Sequence, residues 1–248
     1  GGALFLAGSN EIGIQSLIKD GHAVFGNSGV LAYKKGSRLA RFVKAISPQA
    51  FMANWVNEAG IAPDTWIRFP LEIDGQHFDI HTLPGVFSQN HLDEGTRLLL
   101  QHAPNPTGPS ILDLGCGYGV IGMVMARRSF SLGLNSSVDM VDSNLLAAAS
   151  AKQNIVANQI PGVRVEAGDL IEGLHHQLYD MIISNPPFHT GIETNYATSN
   201  ALIGQSYGAL KPGGELVLVA NRFIRYRNMM DDLFSNVRIL SENSHFHI

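Results

Sequence analysis

The sequence predicts an α/β fold built on a mostly parallel sheet, on three observations. From residue 93 onward, short apolar strand-like runs alternate with helical patterns. A glycine loop joins the first of those strands to its helix, and Lys211-Pro212-Gly213-Gly214 marks a later helix-to-strand turn. Strands that alternate with helices form βαβ units, whose parallel sheet is covered on both faces.

Residues 1–60 read as a smaller α/β piece. "ALFLAG" predicts a strand, "EIGIQSLIKDG" a helix and "VLAYKK" a further strand. The chain opens at Gly1-Gly2 without an initiator methionine and runs at once into an apolar stretch. This is the expected tail of a domain whose start is missing. Lys34, Lys35, Arg38, Arg41 and Lys44 follow without an intervening acid, the pattern of a solvated helix face or of a phosphate-facing patch. The boundary to the larger domain, residues 61–248, falls within 46–66. "APDTWIRFPLEIDGQHFDIHTLPGVF" then alternates apolar and polar residues around Asp74-Gly75, a hairpin signal.

The larger domain continues with a helix "DEGTRLLLQHA", strand "SILDLG", helix "VIGMVMARRS", strand "VDMVD" and helix "NLLAAASAKQNIVANQ". Strands "VRVEAGD" and "YDMIISN", helix "NALIGQSYGAL" and strand "GELVLVAN" follow. Composition excludes several classes. At 248 residues and 45% hydrophobic, the chain can bury a sizeable core. No apolar run is long enough to span a bilayer, and "GGALFLAGSNEIG" lacks the basic start of a signal peptide. The single cysteine, Cys116, excludes an intrachain disulfide and fits a reducing cytosol. A net charge of −4 argues against indiscriminate coating of nucleic acid.

"LDLGCGYGVIG" holds Gly117-Tyr118-Gly119-Val120-Ile121-Gly122, a literal dinucleotide fingerprint. Asp113 just before it argues otherwise, because a carboxylate repels a pyrophosphate but attracts an ammonium and a sulfonium. S-adenosylmethionine has that charge pattern. Gly115, Gly117 and Gly119 permit close backbone approach. Asp142, at the tip of the next strand, can accept from two ribose hydroxyls, in NAD as well as in S-adenosylmethionine. Either it or Ser143 could instead cap the following helix. Asp169 ends the third strand, where it can accept from an adenine amino group.

"SNPPFHTG" ends a buried strand with two prolines, an amide and a ring. It resembles the catalytic loop of S-adenosylmethionine-dependent amino methyltransferases. "LPGVFSQNHLDEGTRLLL", "YDMIISNPPFHTG", "LKPGGELVLVANRFIRY" and "SENSHFHI" extend the likeness to bacterial ribosomal RNA guanine-N2 methyltransferases, the small-subunit branch above all, over residues 67 to 248.

This resemblance implies a Rossmann-like catalytic domain with a mostly parallel seven-stranded sheet, preceded by part of a degenerate α/β domain that supports substrate binding. It implies methyl transfer to the exocyclic N2 of a guanine in 16S rRNA. The partner would be the 30S subunit or an assembly intermediate, and the protein a cytoplasmic monomer. The Asn185 side-chain oxygen and the Pro186 carbonyl would hold the two N–H bonds of the target amine, Pro187 would stiffen the loop and Phe188 would stack on the flipped base. Asp113, Gly115 and Gly117 would line the methionine end of the cofactor, Asp142 the ribose and Asp169 the adenine. Phe87 and Ser88 would approach from the opposite side, with Asn185 bordering both ligands. The arginines of "ANRFIRY", Arg222 and Arg225, are candidate RNA contacts, and Arg227 extends that basic group.

Four other readings stay open: the same reaction on 23S rRNA, protein glutamine N5-methylation, a non-catalytic RNA-binding module with a relic pocket, and NAD binding. Cys116 sits in a cofactor-facing loop, so a packing role is expected rather than a nucleophilic one. His175, His176, His245 and His247 lack an accompanying cysteine or carboxylate cluster, so no metal is expected. His189 adjoins the catalytic loop as a possible substrate contact.

Overall fold

The computed structural model describes residues 2–44, 57–171, 174, 177–186, 196–222, 224 and 226–248, with the side chains of 196–198 left aside. The chain divides between Thr65 and Trp66 into two compact units.

In the first unit, β1 (Ala3–Ser9), β2 (Gly26–Lys34) and β3 (Ser37–Lys44) form an antiparallel sheet in the order β1-β3-β2, with α1 (Ile14–Phe25) between β1 and β2 in sequence. Among its described residues, Ile14, Ala40 and Phe42 are the buried apolar ones. Gly21 admits the Phe42 ring, since a Cβ there would stand 2.5 Å from it. The basic cluster lies on the β2–β3 hairpin rather than on a helix face. Lys35 and Gly36 take positive φ (48° and 76°), as a two-residue hairpin turn requires. Along β3 the period is two: Ala40 and Phe42 are buried while Arg41 between them is exposed.

The second unit opens with the expected hairpin, β4 (Ile67–Ile73) and β5 (Gln76–Thr82), turning at Asp74-Gly75 with φ of 54° and 68°. Next come α2 (Glu94–His102), β6 (Ser110–Leu114), α3 (Val120–Ser131), β7 (Ser137–Asp142), α4 (Leu145–Ala157) and β8 (Val163–Ala167). They are followed by β9 (Tyr179–Ser184), α5 (Tyr196–Ala209), β10 (Leu210–Leu218), β11 (Ala220–Asn221), α6 (Tyr226–Asp231) and β12 (Phe246–His247).

Five parallel strands form the central sheet in the order β10-β9-β6-β7-β8. Both faces are covered: Ile111, Met181 and Ile183 belong to one core cluster, Leu112, Leu114 and Ile182 to the other. This is why the strands read as continuous apolar runs. Among the described residues the sheet has five strands, where the resemblance implies seven. After β10, two-residue β11 pairs instead with two-residue β12 in a separate antiparallel pair. Just before β12, Asn243 Oδ1 accepts from the His245 and Phe246 N–H groups at 2.8 Å each.

The order reverses direction at β6, from which β7 and β8 lie on one side and β9 and β10 on the other. In open α/β sheets that switch point, at the carboxyl ends of the strands, is where ligands bind. Ser184 Oγ at the end of β9 donates to the Leu114 carbonyl at the end of β6, which joins the two strands there.

Candidate active site

A cavity of about 650 Å³ occupies the switch point. Its walls include Gly115–Gly117 after β6, Asp142 at the end of β7, Asp169 after β8 and Asn185-Pro186 after β9. Phe87 and Ser88 of the loop after β5 form another part of the lining, with Asp93 and Thr96 of α2. A second cavity, about 700 Å³ along β10 and residues 234–240, contains none of the strand-end acids and not Asn185.

The glycine loop is shaped by backbone. Gly115 and Gly117 have φ of 74° and 57°, and a Cβ on either would meet nothing within 4 Å. The Gly115 and Cys116 N–H groups donate to the Val141 carbonyl at 2.9 and 3.0 Å, carrying the loop across the end of β7. Gly122 lets α3 approach the sheet, since a Cβ there would lie 2.4 Å from Met140 Cε.

The acids divide by strand geometry. Asp142 borders the cavity, its Oδ2 accepting from the Gly117 N–H and its Oδ1 from the Asn144 N–H, both at 2.8 Å. Asp169 is exposed at the cavity wall. Asp113 is not part of that wall. Side chains alternate along β6, so Asp113 shares the α3-facing side with Ile111, while Leu112 and Leu114 face the other cluster. Fully buried, it accepts the Gly122 N–H on Oδ2 at 2.8 Å, and Oδ1 has no partner among the described residues. Burial is the chief cause that pushes its carboxyl up to about 7; the Gly122 bond opposes this and the Asp142 charge adds to it.

Cys116 is buried, and burial reinforced by Asp113 and Asp142 pushes its thiol well above its ordinary range. It is therefore a neutral packing group. The cap of α4 is Asn144 rather than Asp142 or Ser143: its Oδ1 accepts from the Leu146 N–H at 2.9 Å. Asn144 also donates through Nδ2 to the Gly85 carbonyl at 3.2 Å, linking this corner to the loop after β5. That loop is held by its own bonds, Gly85 N–H to Gln89 Oε1 and Ser88 Oγ to the His91 carbonyl, each 2.8 Å. Phe87 stands 64% exposed on it, so its ring is available to a ligand.

Asn185 is half-buried at the end of β9. Its Nδ2 donates to Asp93 Oδ2 at 2.9 Å and to Thr96 Oγ1 at 2.7 Å. Sequence reasoning missed both partners; the available signal was the Asp-x-x-Thr spacing at the start of a helix, where Asp93 caps the Thr96 N–H at 2.8 Å. Pro187, Phe188, His189, His175, His176 and Arg225 lie outside the described residues. Arg222 is engaged by the C-terminal segment, 3.2 Å from the Asn243 carbonyl and 3.8 Å from Glu242, and Arg227 lies 3.7 Å from Asp231. Among the described residues, no group of three or more His, Cys, Asp or Glu could hold a metal ion, and no helix is long and apolar enough to cross a membrane.

Residues 77–248 match the methyltransferase small domain family. Over all 248 residues the chain is 36% identical to ribosomal RNA small subunit methyltransferase C of Pseudomonas putida (strain W619), covering 70% of that protein. The chain belongs to the ribosomal RNA small subunit methyltransferase C family. The family member of Psychromonas ingrahamii is 40% identical over 184 residues, 74% of this chain and 51% of that protein. The chain thus spans about half the length of the first curated relatives it matches. Among solved structures, the T. thermophilus 16S rRNA N2 G1207 methyltransferase of the same family, in complex with AdoMet and guanosine, superposes with a TM-score of 0.83 at 27% identity. That match covers all of this chain and 64% of the other.

Proposed function

We propose that the chain is the catalytic part of an enzyme that transfers a methyl group from S-adenosylmethionine to the exocyclic N2 of a guanine in 16S rRNA. The observation that carries this is the Asn185 carboxamide at the cavity wall, with both donor hydrogens directed to Asp93 and Thr96. What remains is an acceptor, Oδ1, beside a cavity of a size that holds a nucleoside cofactor. The reading is supported by the family, whose T. thermophilus member is described with AdoMet and guanosine.

The residues present fit that cofactor. Gly115 and Gly117 leave open the space that a Cβ would fill. Each Asp142 oxygen has one backbone donor, which leaves lone pairs for two ribose hydroxyls. Asp169 takes the adenine amino group, and Phe87 and Ser88 close the site from the opposite side. Asp113 does not line the cavity; it supports the start of α3 from beneath by accepting the Gly122 N–H. When bound, S-adenosylmethionine supplies an electrophilic methyl group on a sulfonium.

The work of the chain is orientation. A guanine amine is a poor nucleophile because its lone pair is delocalised into the ring. Asn185 Oδ1 and the Pro186 carbonyl accept its two N–H bonds, aim the nitrogen and favour the positive charge that develops on it. Pro187 stiffens this loop and Phe188 stacks on the base, which must leave its helix to be reached. No general base of unusual pKa is required, because the proton can leave to water after the carbon–nitrogen bond forms. The first unit supports substrate binding, and the substrate is the 30S subunit or an assembly intermediate, met by a monomer in the cytoplasm.

The test is transfer of labelled methyl from S-adenosylmethionine to 30S subunits, 50S subunits and protein fractions of a host lacking the activity, using the full-length protein. N2-methylguanosine from 30S particles alone, lost in Asn185→Ala, is the expected product. Label in 50S particles or in glutamine would overturn the assignment.

A further inference from the structure

We infer that Asp93 and Thr96 are positioning residues that lock the Asn185 carboxamide in the one orientation that presents Oδ1 to the target amine. The inference rests on the proposed function for what Oδ1 receives, and on geometry alone for the lock itself.

A carboxamide at a strand end can rotate by half a turn about its last bond, which exchanges a donor face for an acceptor face at nearly the same shape. For an enzyme that must accept N–H bonds, the flipped state is inactive. Asp93 decides between the two. Its carboxylate offers acceptors only, and Oδ2 is already fixed by the Thr96 N–H at 2.8 Å as the cap of α2. Turning Asn185 over would set its oxygen against that carboxylate oxygen, where two acceptors repel. Thr96 Oγ1, 2.7 Å from Nδ2 and on a 5% exposed residue, supplies the second point needed to fix the plane of the amide. Among the described residues, none donates to Asn185 Oδ1.

The carboxylate itself is held in place. Gly95 lies between Asp93 and the C-terminal strand, and a Cβ on it would stand 3.1 Å from Asp93 Oδ2 and 3.2 Å from the Phe246 ring. Position 95 therefore has to stay small, and the carboxylate is held by the Thr96 N–H and Asn185 Nδ2 bonds it accepts. Residues 92 and 89 positions away in sequence set the amide that the strand end presents.

The test uses Thr96→Val, which keeps the shape and removes the acceptor, with Thr96→Ser as the conservative variant. Asp93→Ser still caps α2 but is too short to reach Asn185. In 15N-labelled protein the Asn185 side-chain NH2 is assigned by its loss in Asn185→Ala. We expect slow hydrogen exchange of both protons in the wild type and in Thr96→Ser. In Thr96→Val and Asp93→Ser that protection is lost.

In methyl transfer, Thr96→Val and Asp93→Ser lower kcat by about 10- to 100-fold, the scale of a misplaced reacting group, with KM for S-adenosylmethionine held within about twofold. Neither variant reduces activity further in an Asn185→Ala background, because the lock acts only through Asn185. Unprotected NH2 protons in the wild type, or equal kcat in wild type and Thr96→Val, would overturn the inference. A wild type with a protected NH2 but no guanine methylation would overturn the proposed function and leave the lock standing.

Discussion

Asp142 Oδ2 accepts a hydrogen bond from the Gly117 N–H at 2.8 Å, so the acid at the end of β7 also braces the glycine loop that follows β6. In the proposed function the same carboxylate also receives the ribose, which would give it two tasks. Replacing it removes both. Asp142→Ala is expected to weaken S-adenosylhomocysteine binding by about 100-fold, the loss of two charge-assisted hydrogen bonds at about 1.5 kcal/mol each. Titration calorimetry on the full-length protein measures this, and a Kd within threefold of wild type would remove Asp142 from the ribose.

The burial of Asp113 makes the stability of the fold depend on pH. Its carboxyl, chiefly through burial, is raised from 3.8 to about 7. Between those values the native state keeps the proton that the unfolded chain has released. The stability it contributes is therefore fully present below 3.8 and is lost as pH rises through about 7. The loss is on the order of 4 kcal/mol in the ligand-free protein. Urea unfolding at pH 5 and pH 8 should show the wild type less stable at the higher pH by more than Asp113→Asn is. Equal pH slopes in the two proteins would show that Asp113 does not titrate in this range.

Asn154 on α4 joins three separated backbones. Its Oδ1 accepts from the His81 N–H at 2.7 Å, and its Nδ2 donates to the carbonyls of His81 and Tyr118 at 3.0 and 2.9 Å. One turn later Asn158 grips β5 in the same way, accepting from the Asp79 N–H at 2.8 Å and donating to its carbonyl at 2.9 Å. Asn154 is fully buried, so Asn154→Leu strands three polar groups away from water and should cost about 3 kcal/mol or more. At half-buried Asn158, water replaces the lost bonds and the cost should stay near 1 kcal/mol. Equilibrium unfolding of the two variants compares them directly; equal costs would mean that burial does not decide the effect.

What the sequence by itself determined is what local chemistry controls. Apolar runs bounded by turns marked the five parallel strands described, Asp74-Gly75 marked its hairpin because only certain residues tolerate two positive φ values, and the strand-end acids Asp142 and Asp169 marked the cavity. The unusual composition after β9 marked Asn185. The tertiary structure decided what depends on meetings between distant segments. The direction of Asp113 followed from which side of β6 packs on α3, and the basic cluster became a hairpin because alternate residues of β3 had a core to enter. Among the described residues the central sheet has five strands, and β11 pairs with β12 in a separate pair. Asp93 and Thr96 look like an ordinary helix cap until the fold carries them across some 90 residues to Asn185. Periodicity encodes which face of an element is buried, but a hydrogen-bond partner is chosen only when two elements are brought within 3 Å of each other.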